Sequence, residues 1–174
     1  MEPGGTRLVS SDASGIAKVW DLNTKTPSSA PPAQDTDFGS VAWAPDNRRL
    51  VFADASHNLI VWDTLLGTEV ARLSGHQDPI RDVAWSPDGK QIVVGGRHNN
   101  LKLFSTQTGE MTSARDFHSS AIRHVDWSSD GRVVSVSETG AHVWTPAKPF
   151  AHWEHLENSA GVSAASNSFA CSPD

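Results

Sequence analysis

Trp43, Trp85 and Trp127 stand 42 residues apart, Trp20, Trp62 and Phe104 keep the same interval, and Trp144 follows at 40. Pro3, Pro45 and Pro87 share that spacing, Ser129 takes the fourth place, and Asp46, Asp88 and Asp130 run beside them. Bulky side chains recurring at one interval mean that the chain copies a single supersecondary unit, each copy burying its face against the next.

The unit is clearest from Gly75 to Ser105. Gly75-His76 opens it, an apolar run ends at Trp85, Ser86-Pro87-Asp88-Gly89 supplies a turn, and Ile92 to Val94 and Leu101 to Phe104 are two further apolar runs. Short apolar runs separated by turn residues predict strands. A period of this length with Gly-His near its start and Trp-Asp near its end, as in Trp20-Asp21 and Trp62-Asp63, resembles the WD-repeat family of β-propellers. The resemblance spans nearly the whole chain. It implies an all-β fold of about four blades, each of four antiparallel strands a to d running outward from a central axis.

By this alignment blade 1 is partial and covers 1–36, blade 2 covers 37–76, blade 3 covers 77–118 and blade 4 covers 119–160; residues 161–174 hold strand a of a fifth unit. In the reference blade, strands are expected at about 80–86, 90–96, 100–105 and 110–116. The first blade lacks strand a, and Pro27, Pro31 and Pro32 make its outer strand irregular because proline cannot donate to a ladder. Asn47 stands where Gly89 stands and is expected at positive φ. The fourth blade is shorter, and two residues are assigned as missing from its b–c connection around Glu138-Thr139-Gly140.

An open arc of blades leaves an apolar face bare at each end. Three arrangements answer this: a piece of a longer propeller, a homodimer in which a second copy completes an eight-bladed ring, or a self-closed ring of four.

Net charge is −6, and the 14 basic residues are scattered, so no nucleic-acid surface is expected. No apolar run approaches the roughly 18 residues of a membrane span, and the first residues lack a leader pattern. Cys171 is the only cysteine, which excludes an intrachain disulfide and a cysteine-built zinc site. A cytoplasmic or nuclear setting is expected.

The resemblance also implies a hydrogen-bond chain in each blade, from the strand-c Trp through a strand-b Ser or Thr and the Gly-His histidine to an Asp of the b–c turn. Gln34, His76 and His118 hold the histidine place, and Ser14, Ser56 and His98 hold the Asp place. No repeat has all four members, so apolar packing is expected to carry blade stability. The histidines come from different blades and lack short-spaced carboxylate or thiolate partners, so no metal and no cofactor is expected. No nucleophile elbow or phosphate loop is present, and an enzyme is not expected.

The upper rim, built from the d–a and b–c connections, is therefore the candidate surface. The resemblance implies partner contacts at the start of strand a, where Arg81, Asp82, Arg123 and His124 stand, with Arg97 and His98 on the adjoining b–c turn. Arg81 and Arg123 suit an acidic or phosphorylated peptide. Asp126 falls where Ala42 and Ala84 stand, so its carboxylate is expected to face water or to pair with Arg123 or Arg81. The function implied is a non-catalytic scaffold for protein or peptide partners. The alternative is a structural or regulatory repeat region of a larger signalling ATPase or other enzyme.

Overall fold

Turn residues at fixed offsets divide the apolar runs into hairpins, and the hairpins join into sheets. A computed structural model describes residues 3–11, 17–28, 31, 40–98, 100–115, 118–146 and 153–156. Among these residues, four antiparallel sheets follow one another, each a simple meander.

The first contains β1 (Arg7–Ser11), β2 (Ala17–Asp21) and β3 (Thr26–Pro27). The second contains β4 (Val41–Trp43), β5 (Arg49–Ala53), β6 (Leu59–Asp63) and β7 (Thr68–Leu73). The third contains β8 (Ile80–Trp85), β9 (Gln91–Gly96), β10 (Leu101–Ser105) and β11 (Met111–Arg115). The fourth contains β12 (Ile122–Trp127), β13 (Val133–Ser137), β14 (Gly140–Trp144) and β15 (Trp153–Leu156). The strands of the reference blade thus fall within a residue of their expected ends. In the first sheet the outer strand is two residues long, as its prolines require. The strand expected near 168–171 lies outside the described residues.

The periodic residues share rungs. Trp43 pairs with Leu50 and Leu50 with Trp62; Trp85 pairs with Ile92 and Ile92 with Phe104; Trp127 pairs with Val133 and Val133 with Trp144. Asn47 has φ 57°, matching Gly89 at 68° and Gly131 at 82°, so all three complete blades place a positive-φ residue at this point of the a–b hairpin turn.

The fourth blade corrects one expectation. Seven positions separate Trp85 from its partner Ile92 but six separate Trp127 from Val133, and twelve separate Ile92 from Phe104 but eleven separate Val133 from Trp144. One residue is therefore missing from the a–b turn and one from the b–c turn, not two from the latter. Ser128-Ser129-Asp130-Gly131 looked like a full-length match in the sequence because the loss falls just after Gly131.

The core lies between sheets. Along β5 and β6, Leu50, Phe52, Ile60 and Trp62 face the first sheet, while Val51, Ala53, Leu59 and Val61 face the third. Both faces are covered, so β6 is buried along its whole length, whereas the outer β7 is mostly exposed. Between the third and fourth sheets, Leu101 and Leu103 pack against Ile122, Val125, Trp127 and Trp144. Here side chains of the fourth sheet pack directly onto the strand-b backbone: a Cβ on Gly95 would stand 2.6 Å from Ile122 Cγ2. Gly95 is therefore a packing residue, as its place in the strand suggested.

Polar contacts join the sheets at their other end. Arg7 of the first sheet lies over the Trp43 ring of the second at 4.8 Å, and Arg49 of the second lies over Trp85 of the third at 5.1 Å.

Candidate functional site

Each sheet presents two rims. On one, the a–b and c–d turns meet, as where Thr106 Oγ1 donates to the Gly89 carbonyl at 2.9 Å. On the other, the b–c turns meet the d–a connections, as where Ser119 and Ser120 reach Thr139. The rim residues singled out from the sequence belong to this second set.

Arg81 and Arg123 occupy a position that strand pairing creates. Ile80 pairs with Gly96 and Asp82 with Gly95, so Arg81 is the extra residue of a bulge; Ile122 and His124 pair with Ser137 and Val136, leaving Arg123 at the same place. A bulge turns its side chain out of the ladder and re-aims it. Both arginines are exposed while Ile80 and Ile122 beside them are buried. Arg123 is held by Glu138 of the b–c turn at 2.5 Å. Arg81 has no ion pair among the described residues, and neither has the exposed Arg97, whose main-chain N–H donates to the Pro79 carbonyl at 3.1 Å.

Asp82 behaves differently from its neighbours. It is 9% exposed. Its Oδ1 accepts from Ser40 Oγ at 2.6 Å and from the Val83 N–H at 3.0 Å, while Oδ2 accepts from the Val125 N–H at 2.9 Å and pairs with His124. Ser40, Asp82 and His124 hold one position in three successive blades, so this carboxylate ties three sheets together at their inner ends. A buried charge with this many donors is satisfied and turned inward.

His98 is exposed and donates from Nδ1 to Asp78 Oδ1 at 2.6 Å, while Asn100 Nδ2 donates to Asp78 Oδ2 at 2.8 Å. Burial pushes the Asp78 carboxyl up, but the donors His98 and Asn100 hold it below the ordinary carboxylate range. His76 Nδ1–H donates to the Asp78 carbonyl at 2.7 Å. These contacts fix the b–c turn to the d–a connection and so hold Arg97 in place on the rim.

Asp126 is half-buried, and its Oδ1 accepts the Trp127 N–H at 2.8 Å. Among the described residues it pairs with neither Arg123 nor Arg81, because Glu138 takes the former. Asp78 was not singled out in the sequence, and Glu138 was noted only as part of the shortened b–c connection of the fourth blade. The offset of Glu138 from Arg123, across one hairpin, was the available signal.

The hydrogen-bond chain within blades is as incomplete as its residues suggested. Buried His76 Nε2 has no partner, since Val94 stands where a hydroxyl is required, and the indole N–H groups of Trp43, Trp62, Trp85 and Trp127 also lack one among the described residues. Two blades keep part of the chain: in the first, the Trp20 indole N–H donates to Ser10 Oγ of strand b at 2.9 Å, and in the fourth the histidine is bonded through both ring nitrogens. His118 links Ser135 Oγ through Nε2 and Ser137 Oγ through Nδ1, both at 2.8 Å, so a second serine takes the place of the missing acid.

Residues 60–130 match the family model described as the anaphase-promoting complex subunit 4 WD40 domain. No curated protein matches the chain. The matched stretch runs from β6 through β12 and contains the bulge at Arg81, the Asp82 tie and the bulge at Arg123.

Proposed function

The chain carries a WD-repeat propeller segment, and on that premise we propose that it is a non-catalytic platform whose upper rim binds an acidic or phosphorylated peptide of a partner protein. The observation that carries this reading is the repeated bulge, which raises Arg81 and Arg123 out of buried strands at matching positions in adjacent blades. Arg97 adds a third exposed guanidinium on the next turn. Guanidinium groups suit this role because each can engage a carboxylate or phosphate through two parallel hydrogen bonds.

The scaffold beneath favours recognition over chemistry. Arg81 stands on a strand buried on both faces and Arg123 on one packed against the third sheet, so little ordering is required when a peptide docks. The matching family model describes a domain of a multisubunit complex, and a platform of this kind suits assembly with other chains.

The reading is tested with three peptides of one length, carrying phosphoserine, glutamate or serine at the same positions, titrated into the full chain by calorimetry. Binding should follow the order phosphoserine, glutamate, serine and should weaken as salt is raised. Equal binding of all three, or none, would overturn it.

A further inference from the structure

The opposite rim carries an unfilled position in an otherwise regular pattern. Arg7 pairs with Asp21, Arg49 with Asp63 and Gln91 with Ser105, so these three residues hold one register at the start of strand b. Arg132 holds it in the fourth blade, immediately before Val133. Three of four are arginine. Gln91 is the departure.

What the arginine does is visible one blade earlier. Arg49 lies over Trp85 of the next sheet at 5.1 Å while its Nε donates to Asp46 of its own a–b turn at 2.5 Å. Asp88 is the counterpart of Asp46, and Trp127 is the counterpart of Trp85. Both remain where Gln91 replaces the cation, and no cation lies over Trp127 among the described residues. In its place is a cleft of about 490 Å³, lined by Gln91, Trp127, Asp88, Asp130, Thr145 and Pro146 among others.

The charge balance of the cleft follows. Among the described residues, the only charged ones lining it are Asp88 and Asp130. A cleft of about 340 Å³ beside Arg49 is lined by Asp46, Asp63, Arg48 and Arg49 among others, so cations line it as well as carboxylates. Hydroxyl donors, Ser86 at Asp88 and Ser128 at Asp130, hold both carboxyls below the ordinary range, so they stay ionised. Lys90 approaches Asp88 at 3.6 Å and Arg132 touches Asp130 at 2.8 Å, but these pairs are half exposed or more and exchange at little cost.

We propose that this cleft receives an arginine side chain from a partner protein, its guanidinium over the Trp127 ring and paired with Asp88, in the arrangement that Arg49 makes on Trp85 with Asp46. The site lies on the rim opposite Arg81 and Arg123 and does not depend on what binds there. It favours a guanidinium over an ammonium because a planar cation both stacks on the indole and forms a fork to the carboxylate.

The test is a nuclear magnetic resonance titration of the full chain, following the Trp127 indole N–H, with the peptide acetyl-Gly-Arg-Gly-amide and its lysine and citrulline counterparts. The arginine peptide should shift the resonance saturably and the uncharged citrulline peptide should not. Gln91→Arg, which supplies the cation internally, should abolish the response and raise the melting temperature; Asp88→Asn should weaken binding about threefold to fivefold. No shift with the arginine peptide, an equal shift with lysine or citrulline, or an undiminished response in both variants would overturn the proposal.

Discussion

Asp82 accepts the main-chain N–H of Val125 at 2.9 Å, so a side chain of the third sheet satisfies the backbone of the fourth. The same carboxylate reaches back to Ser40 of the second. Stacked sheets meet mainly through apolar side chains, which set distance but leave sliding cheap; a directional tie at the inner strands fixes how one sheet sits on the next. That alignment determines where the bulge-borne Arg81 and Arg123 stand relative to each other.

Removing this tie should be costly. Asp82→Ala strands the buried Val125 N–H and leaves the half-buried Ser40 hydroxyl without its acceptor, and a loss of about 2–4 kcal/mol in unfolding free energy is expected. Urea denaturation measures it. Ser40→Ala, which leaves the other donors in place, should cost about 1 kcal/mol or less.

Acid should weaken the fold through His76. Burial, the largest influence, lowers its pKa from the ordinary 6.5, against the hydrogen bond from its Nδ1–H to Asp78, which raises it. The unfolded chain therefore binds the proton more readily than the folded one. Stability from this group is complete above pH ~6.5 and declines as pH falls below it, since unfolding then takes up a proton. The denaturation midpoint should drop between pH 7.5 and pH 5.5 and should drop less in His76→Gln. An identical decline in the two proteins would remove His76 as the cause.

Close packing gives a third expectation. A methyl group at residue 95 would meet Ile122 Cγ2 at 2.6 Å and Val125 Cγ1 at 3.0 Å, both on the fourth sheet. Gly95→Ala should cost about 1–3 kcal/mol by forcing the sheets apart. Ile122→Ala alone opens a cavity, yet the double variant should be more stable than the sum of the two losses predicts, because the new methyl enters the vacated space. Thermal and urea unfolding of the cycle provide the test.

The sheets were legible because the repeat makes each reading a comparison with three others. Asn47 was placed at positive φ from Gly89 alone, and its φ of 57° agrees. Strand pairing at the bulges was not legible: the sequence around Ile80-Arg81-Asp82 alternates no differently from an unbulged strand. The Asp82 tie left a trace in the polar series Ser40, Asp82, His124, but a period shows which positions correspond and not which of them touch. Trp127 showed the opposite difficulty. Its spacing marked it as core, and only the register of Arg7, Arg49 and Gln91 points to a ring that lacks, among the described residues, the cation its counterparts carry.

The most direct measurement compares two charge reversals, Arg81→Glu with Arg123→Glu on the upper rim and Lys90→Glu with Arg132→Glu on the lower, in binding a phosphoserine peptide by calorimetry, with circular dichroism confirming that each variant is folded. Loss of binding in the upper pair alone is the result expected. Retained binding in the upper pair, or equal loss in both, would contradict the assignment of that rim as the recognition surface.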